Sequence, residues 1–163
     1  MCSKSHPSRQ QRAGYTIVEL MITVSIIAVI ASLAVPAWQR ARKRSQADAL
    51  VNELRVTGEA FQVYAAEKGS LPANSGSFSA IPTGMASYMP KKSTWAGVSP
   101  TGGYWVWWNF GSGAFWGFTG IIGVYNVNFD PDQVAQIDTA MDDGDPNTGG
   151  IHSQTNWVFY GVP

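Results

Sequence analysis

The stretch from residue 15 to residue 37 leaves this chain few ways to fold. It holds Ile17, Val18, Leu20, Met21, Ile22, Val24, Ile26, Ile27, Val29, Ile30, Leu33 and Val35, and between Ala13 and Gln39 the single charged side chain is Glu19. As a helix the run rises roughly 35 Å at about 1.5 Å per residue, enough to cross a hydrocarbon core of roughly 30 Å. It is apolar on every face, and a single small domain cannot surround such a helix, which argues against a buried core element. A secretory signal is the sharper competitor, with a basic start, an apolar core of about 7–15 residues and a small-residue cleavage site. Ser32-Leu33-Ala34 offers such a site. The run is longer than a signal core, however, and a signal core has no use for a carboxylate.

Glu19 sharpens the point. A carboxylate in a membrane-spanning helix costs on the order of 2.5–3.5 kcal/mol, so it needs a partner. No Lys or Arg follows it within two helical turns. Either it snorkels to the interface or its counter-charge comes from another molecule.

Formal net charge is zero, and nothing global points to nucleic acid. The charges are segregated all the same. Lys4, Arg9 and Arg12 precede the apolar run; after Lys92 there is no Lys or Arg, while Asp130, Asp132, Asp138, Asp142, Asp143 and Asp145 crowd the C-terminal part. Cys2 is the only cysteine, so no intrachain disulfide and no cysteine-based metal site can form.

The octapeptide Gly14-Tyr15-Thr16-Ile17-Val18-Glu19-Leu20-Met21 resembles the N-terminal signal of type IV prepilins and type II secretion pseudopilins. The resemblance extends to about Gly69. It implies that a prepilin peptidase cuts after Gly14 and that Tyr15 becomes a methylated N-terminus. It further implies that Glu19 meets the N-terminal amine of a neighbouring subunit during assembly, and that Pro36 is a helix-bending proline. Tyr15 stands where the family usually has phenylalanine, and Ala13 rather than a basic residue precedes the glycine. The partners implied are other pilin-like subunits, the peptidase/methyltransferase, an inner-membrane assembly platform and membrane lipid. Lysines and arginines on both sides of the span give no clear inside by counting; the resemblance implies a cytoplasmic leader and a head on the periplasmic or outer side.

Beyond Pro36 the pattern turns amphipathic. Leu50, Leu54, Phe61 and Ala65, with Val51 and Gly58, recur at helical spacing, and Gly69 and Pro72 offer a stop. Residues 15–68 therefore read as one long helix. The expected organisation is a leader (1–14), a transmembrane half-helix (15–37), an amphipathic half-helix (38–69) and a globular head (70–163). The fold class is α+β, with the long helix packed on a small antiparallel sheet.

Residues 74–90 read as a loop with a short helical turn near Met85. Residues 104–110 read as a strand, with Trp105 and Trp107 on one face and Val106, Trp108 and Phe110 on the other. Residues 115–118 are expected to return as its hairpin partner, and 121–129 and 157–160 are further strand candidates. The aromatic residues either pack as core or form an exposed platform for glycan stacking or subunit contact, with Trp105 and Trp108 the stacking candidates.

Asp130-Pro131-Asp132-Gln133 opens a short helix: Asp130 as N-cap, Pro131 at the first position, Gln133 in a capping box. Val134, Ile137 and Met141 form its apolar stripe. Asp142 and Asp143 are expected in its last turn, where carboxylates oppose the helix dipole. Asp142, Asp143 and Asp145 thus form a candidate calcium site of oxygen ligands, against the alternative of a solvated turn. The spacing is not that of an EF-hand. An enzyme is disfavoured: His152 is the one histidine after the leader, and no Gly-x-Ser-x-Gly or phosphate loop is present. The other rival is a membrane-anchored minor pilin or adhesin that binds carbohydrate through the Trp-rich sheet.

Overall fold

The computed structural model describes residues 14–90, 93–113, 115–125, 129–154 and 156–162. The basic leader up to Ala13, with Cys2, lies outside these. The chain divides into two compact units, the first ending at Gln39 and the second starting at Arg40.

Helix α1 spans Ile17–Lys68, with Pro36 inside it. Its start is a capping box. Glu19 N–H donates to Thr16 Oγ1 at 3.2 Å, while Thr16 N and Oγ1 donate back to Glu19 Oε2 at 2.8 and 2.9 Å. In the first unit the large apolar side chains are bare: Ile17 is 77% exposed and Leu33 74%. The hydroxyls of Thr23, Ser25 and Ser32 donate to carbonyls three or four residues back, so the segment meets these polar needs internally. Gly69, at φ +76°, ends the helix and donates its N–H to the Ala65 carbonyl at 2.8 Å.

In the second unit α1 buries Ala47, Leu50, Val51, Leu54, Thr57, Gly58, Ala60 and Phe61. The expected stripe is borne out, except that Ala65 is only partly buried and Ala47 and Ala60 join. These side chains cover a four-stranded antiparallel sheet ordered β1-β2-β4-β3. Its strands are β1 (Tyr104–Asn109), β2 (Gly120–Tyr125), β3 (Ile151–Gln154) and β4 (Trp157–Val162); helix α2 (Pro131–Met141) lies between β2 and β3 in sequence.

Register sorts the aromatics. Trp105 pairs with Val124 and Val124 with Val158; Trp107 pairs with Ile122 and Ile122 with Tyr160. These side chains face α1. Phe61 sits 4.3 Å from Trp107 and 5.8 Å from Trp95, ring centre to ring centre, and Trp95 stacks on Trp105 at 5.2 Å. A buried indole needs an acceptor. Trp95 finds it in the Ala80 carbonyl, Trp105 in Thr94 Oγ1 and Trp107 in the Pro72 carbonyl, at 2.9 to 3.1 Å. Gly58 admits the Tyr160 ring, which a β-carbon there would meet at 3.0 Å.

Three expectations need correction. The partner of β1 is β2, not residues 115–118; Phe115 and Phe118 bridge each other inside the β1–β2 loop. Strand β3 is absent from the sequence reading, because Ile151-His152-Ser153-Gln154 lacks β-branched alternation and follows a polar turn. Gln133 does not complete a capping box: its amide donates to the Lys43 carbonyl at 3.0 Å. Asp130 does cap α2, accepting from Asp132 N–H, with Pro131 at the start. Residues 126–128 of the expected strand 121–129 lie outside the described residues.

Candidate functional site

Three places carry the residues singled out from sequence, and the first is the helix start. Gly14 and Tyr15 precede α1 without regular structure, and none of the described residues comes within 4 Å of where a Gly14 β-carbon would be. Tyr15 is 83% exposed. Glu19, read as having no basic residue close behind it, has a hydrogen-bonding partner in Thr16. The signal was in the sequence: Thr-x-x-Glu just before an apolar run is the capping-box pattern. The cap satisfies hydrogen bonds but supplies no positive charge. A carboxylate at a helix N-terminus is also favoured by the helix dipole. Pro36 lacks the N–H that would reach the Ser32 carbonyl, which leaves α1 with one missing rung.

The second place is the turn after α2. Helix α2 ends at Met141, so Asp142 is its C-cap and Asp143 lies beyond it rather than in the last turn. Carboxylate oxygens of Asp138, Asp142 and Asp143 lie within 4.8 Å of one another. Asp145 is not in this group; its Oδ1 accepts from Asn147 N and Nδ2 at 3.1 and 2.9 Å. Asp142 Oδ2 accepts from Gly150 N–H, and Asp143 accepts from Asp145 N–H and Thr148 Oγ1. Asp138 is fully buried. Its Oδ1 accepts from Gly144 N–H at 2.6 Å, and its Oδ2 has no partner among the described residues. Burial, then the charges of Asp143, Asp142 and Asp145, push the Asp138 carboxyl above the ordinary aspartate range, against the Gly144 hydrogen bond. The hydrogen bond from Asp145 N–H holds Asp143 below that range. The sequence reading counts Asp138 among the charges but not in the ligand set, although its spacing of four from Asp142 places both on one helix face. An orphaned buried carboxylate oxygen beside two exposed carboxylates is a donor set that fits a hard cation. The dipole at this end has an answer the sequence hid: Arg55 of α1 donates to the Ala140 carbonyl at 3.1 Å.

The third place is the outer sheet face, turned away from α1. Trp105 is not on it, being fully buried, so its candidacy as a stacking platform falls. Trp108 is there, half-buried, and stacks on Trp157 at 4.8 Å. The β1–β2 loop folds over the same face and sets Trp116 parallel to Phe159 at 5.1 Å and over His152 at 4.6 Å. Trp116 was overlooked because its loop position carries no strand pattern.

Comparison with known proteins bears on the first place and on the fold. The family model for the prokaryotic N-terminal methylation motif matches residues 9–35, a segment that includes Gly14, Tyr15 and Glu19. The fimbrial protein EcpC of Eikenella corrodens is 36% identical over 66 residues, which is 40% of this chain and 43% of that protein. The match therefore spans less than half of the relative's length. The major type IV pilin PilA1 from Clostridium difficile superposes with a TM-score of 0.51 at 10% identity, over 74% of this chain and 96% of the other. At that identity the likeness is one of fold. A methylation motif leading into an apolar helix, and a small antiparallel sheet packed on that helix's second half, are the features this chain shares with the type IV pilins it resembles.

Proposed function

We propose that this chain is a structural subunit of a type IV pilus-like or type II secretion pseudopilus filament. In this reading a prepilin peptidase cuts after Gly14, the new Tyr15 amine is methylated, and subunits polymerise through α1. Before assembly the chain is a single-pass protein of the inner membrane, held by the apolar half of α1 with the head on the periplasmic or outer side. Pro36 gives α1 a place to bend, and an assembly platform and other pilin-like subunits are its partners. No reaction is assigned to it.

The observation that carries this is the bare first half of α1. About six turns of helix, from Ile17 to Gln39, supply nothing to the core of the head, which draws on Ala47 to Phe61. The apolar half is long and apolar enough to cross a membrane, and lipid or neighbouring helices are the surroundings that suit it. Glu19 then has two separable roles: a cap made within the chain, and a charge available to a neighbour's amine. In the acidic turn, Asp138, Asp142 and Asp143 would hold a calcium ion, which would tie the end of α2 to the loop before β3.

Glu19→Gln separates the roles, because glutamine also completes a capping box. Expected are normal insertion, a peptidase-dependent mass loss of residues 1–14, and filament incorporation reduced at least about tenfold, a factor worth about 1.4 kcal/mol. Intact mass and sheared-filament yield are the readouts. Wild-type filament levels from this variant would remove the charge-pairing role. Cleavage near Ala34 independent of the peptidase would remove the pilin reading altogether.

A further inference from the structure

The outer face of the sheet carries a feature that filament formation through α1 does not use. Between strand β1 and the loop that follows it lies a hollow of about 370 Å³, lined in part by Trp108, Phe110, Phe115, Trp116, Trp157 and Gln154. That size falls within the roughly 300–1,000 Å³ of small-molecule sites. On the other side of Trp108 a second hollow of about 500 Å³ is lined by Asn74, Ser75, Ser77 and Phe78 among others. Trp108 belongs to both walls.

The backbone holds one of these rings at a conformational cost. Phe115 and Phe118 exchange N–H to carbonyl hydrogen bonds at 3.1 and 3.0 Å across a two-residue turn. Its central residues, Trp116 and Gly117, have φ of +51° and +87°. That is the pattern of a type I′ turn, whose first central position favours Asn, Asp or Gly. A tryptophan is costly in this left-handed conformation. It remains 46% exposed, its plane fixed against Phe159 and His152. A core-filling role does not account for a ring so placed; presentation of its free surface does.

The linings select the ligand. Among the described residues no Asp, Glu, Lys or Arg lines either hollow, so a charged ligand finds no partner among them. The first hollow offers aromatic planes and one amide, the second the hydroxyls of Ser75 and Ser77. Asn74 is already engaged with the backbone of Asn109, and the Ser75 hydroxyl donates to the Ser77 carbonyl at 3.1 Å, which leaves its oxygen as an acceptor. A purely apolar occupant would leave the second hollow unmatched. A pyranose chain presents flat C–H faces, which suit the electron-rich face of an aromatic ring, and hydroxyl edges, which suit Gln154 and the serines. We infer that the outer sheet face is a binding site for neutral, flat β-linked oligosaccharides, with Trp108 and Trp116 as stacking residues and Gln154 as a hydrogen-bonding one.

This site is independent of the filament reading, since sugar binding by the single chain needs no assembly. The test uses the full chain in a detergent without a sugar headgroup, titrated with cellotetraose and with chitotetraose. Tryptophan fluorescence and saturation-transfer NMR report binding. Saturable binding of at least one probe is expected, with a Kd between about 10 µM and about 1 mM, weakened at least about tenfold by Trp116→Ala. Should that variant fail to fold, Gln154→Ala at an exposed position reads the same site, with an expected loss of about threefold or more and unchanged melting. Absence of saturation by both probes up to about 10 mM overturns the inference, as does unchanged affinity in folded Trp116→Ala and Gln154→Ala. If neither sugar binds and Trp116→Ala lowers filament yield, the hollow belongs to a subunit contact and the sugar site is refuted.

Discussion

Leu33 and Leu54 belong to the same helix and meet opposite conditions. Leu33 is 74% exposed; Leu54 is fully buried among the tryptophans and aliphatic residues of the head. The first half of α1 satisfies its polar groups by itself, through the Thr16–Glu19 cap and the hydroxyl back-bonds. The second half relies on others: its apolar stripe is covered by the sheet, and its backbone carbonyls at Lys43 and Arg44 receive the amides of Gln133 and Gln136. Propensity can propagate a helix through both halves, but tertiary burial supports only the second. Among the described residues, the first half keeps its large apolar side chains exposed.

The largest effect expected on the head comes from breaking this asymmetry at one residue. Leu54→Ala should destabilise the head by about 2–5 kcal/mol, the range for emptying a buried leucine site. Leu33→Ala should leave head melting unchanged. Near-ultraviolet circular dichroism in micelles follows the buried indoles and reads both variants. Equal losses would mean that the first half also supports the head, and the contrast between the halves would be lost.

A second pair of residues sharpens the comparison, because each of the two units holds one telling carboxylate. Glu19 is capped and exposed to whatever surrounds the first half; Asp138 is buried in the head with one oxygen unpartnered. A cation that binds the folded form alone stabilises it, by about 2.7 kcal/mol at a hundredfold excess over its Kd. Millimolar calcium should therefore raise head melting by several degrees. Asp138→Asn should abolish that response while leaving the metal-free head at least as stable, since the buried charge is gone. A wild-type melting temperature indifferent to calcium would return the turn to a solvated one.

What was legible in the sequence follows the range of the interaction involved. The α1 stripe, the Gly69 stop, the Asp130 cap and the alternation that buries Trp105 and Trp107 are local patterns, and residues a few positions apart decide them. The Thr16 cap is equally local, three positions from Glu19, although the charge of Glu19 alone does not reveal it. Other features depend on pairings distant in sequence. Strand β3 is specified by its register with β4, from His152 against Phe159 to Gln154 against Trp157. Arg55 reaches Ala140 across 85 positions. Trp116 becomes intelligible once the β1–β2 loop is seen to fold over the sheet. The apparent absence of a basic residue near the acidic helix end was an artefact of reading along one dimension.

The smallest effect expected concerns how α2 docks on the buried half of α1, and it tests whether that contact is electrostatic or geometric. Lys43 Nζ lies 2.6 Å from Asp130 Oδ2, and both side chains are substantially exposed. The Lys43 hydrogen bond, then the bond from Asp132 N–H, hold the Asp130 carboxyl below the ordinary aspartate range. A carboxyl whose folded value is depressed contributes stability that is fully present above its unfolded value, near pH 4, and is lost as pH falls through the folded value. Head melting should thus decline on acidification below about pH 4. Asp130→Asn retains a side chain that caps well but cannot ionise, so its melting should fall less over the same interval. The difference should be small, because exposed ion pairs are screened by water and salt, and it should shrink further when salt is raised. Parallel pH profiles for the two proteins would show that Asp130 acts on α2 through its cap alone, and that the second half of α1 holds α2 by the Gln133 and Gln136 amides without help from the Lys43 charge.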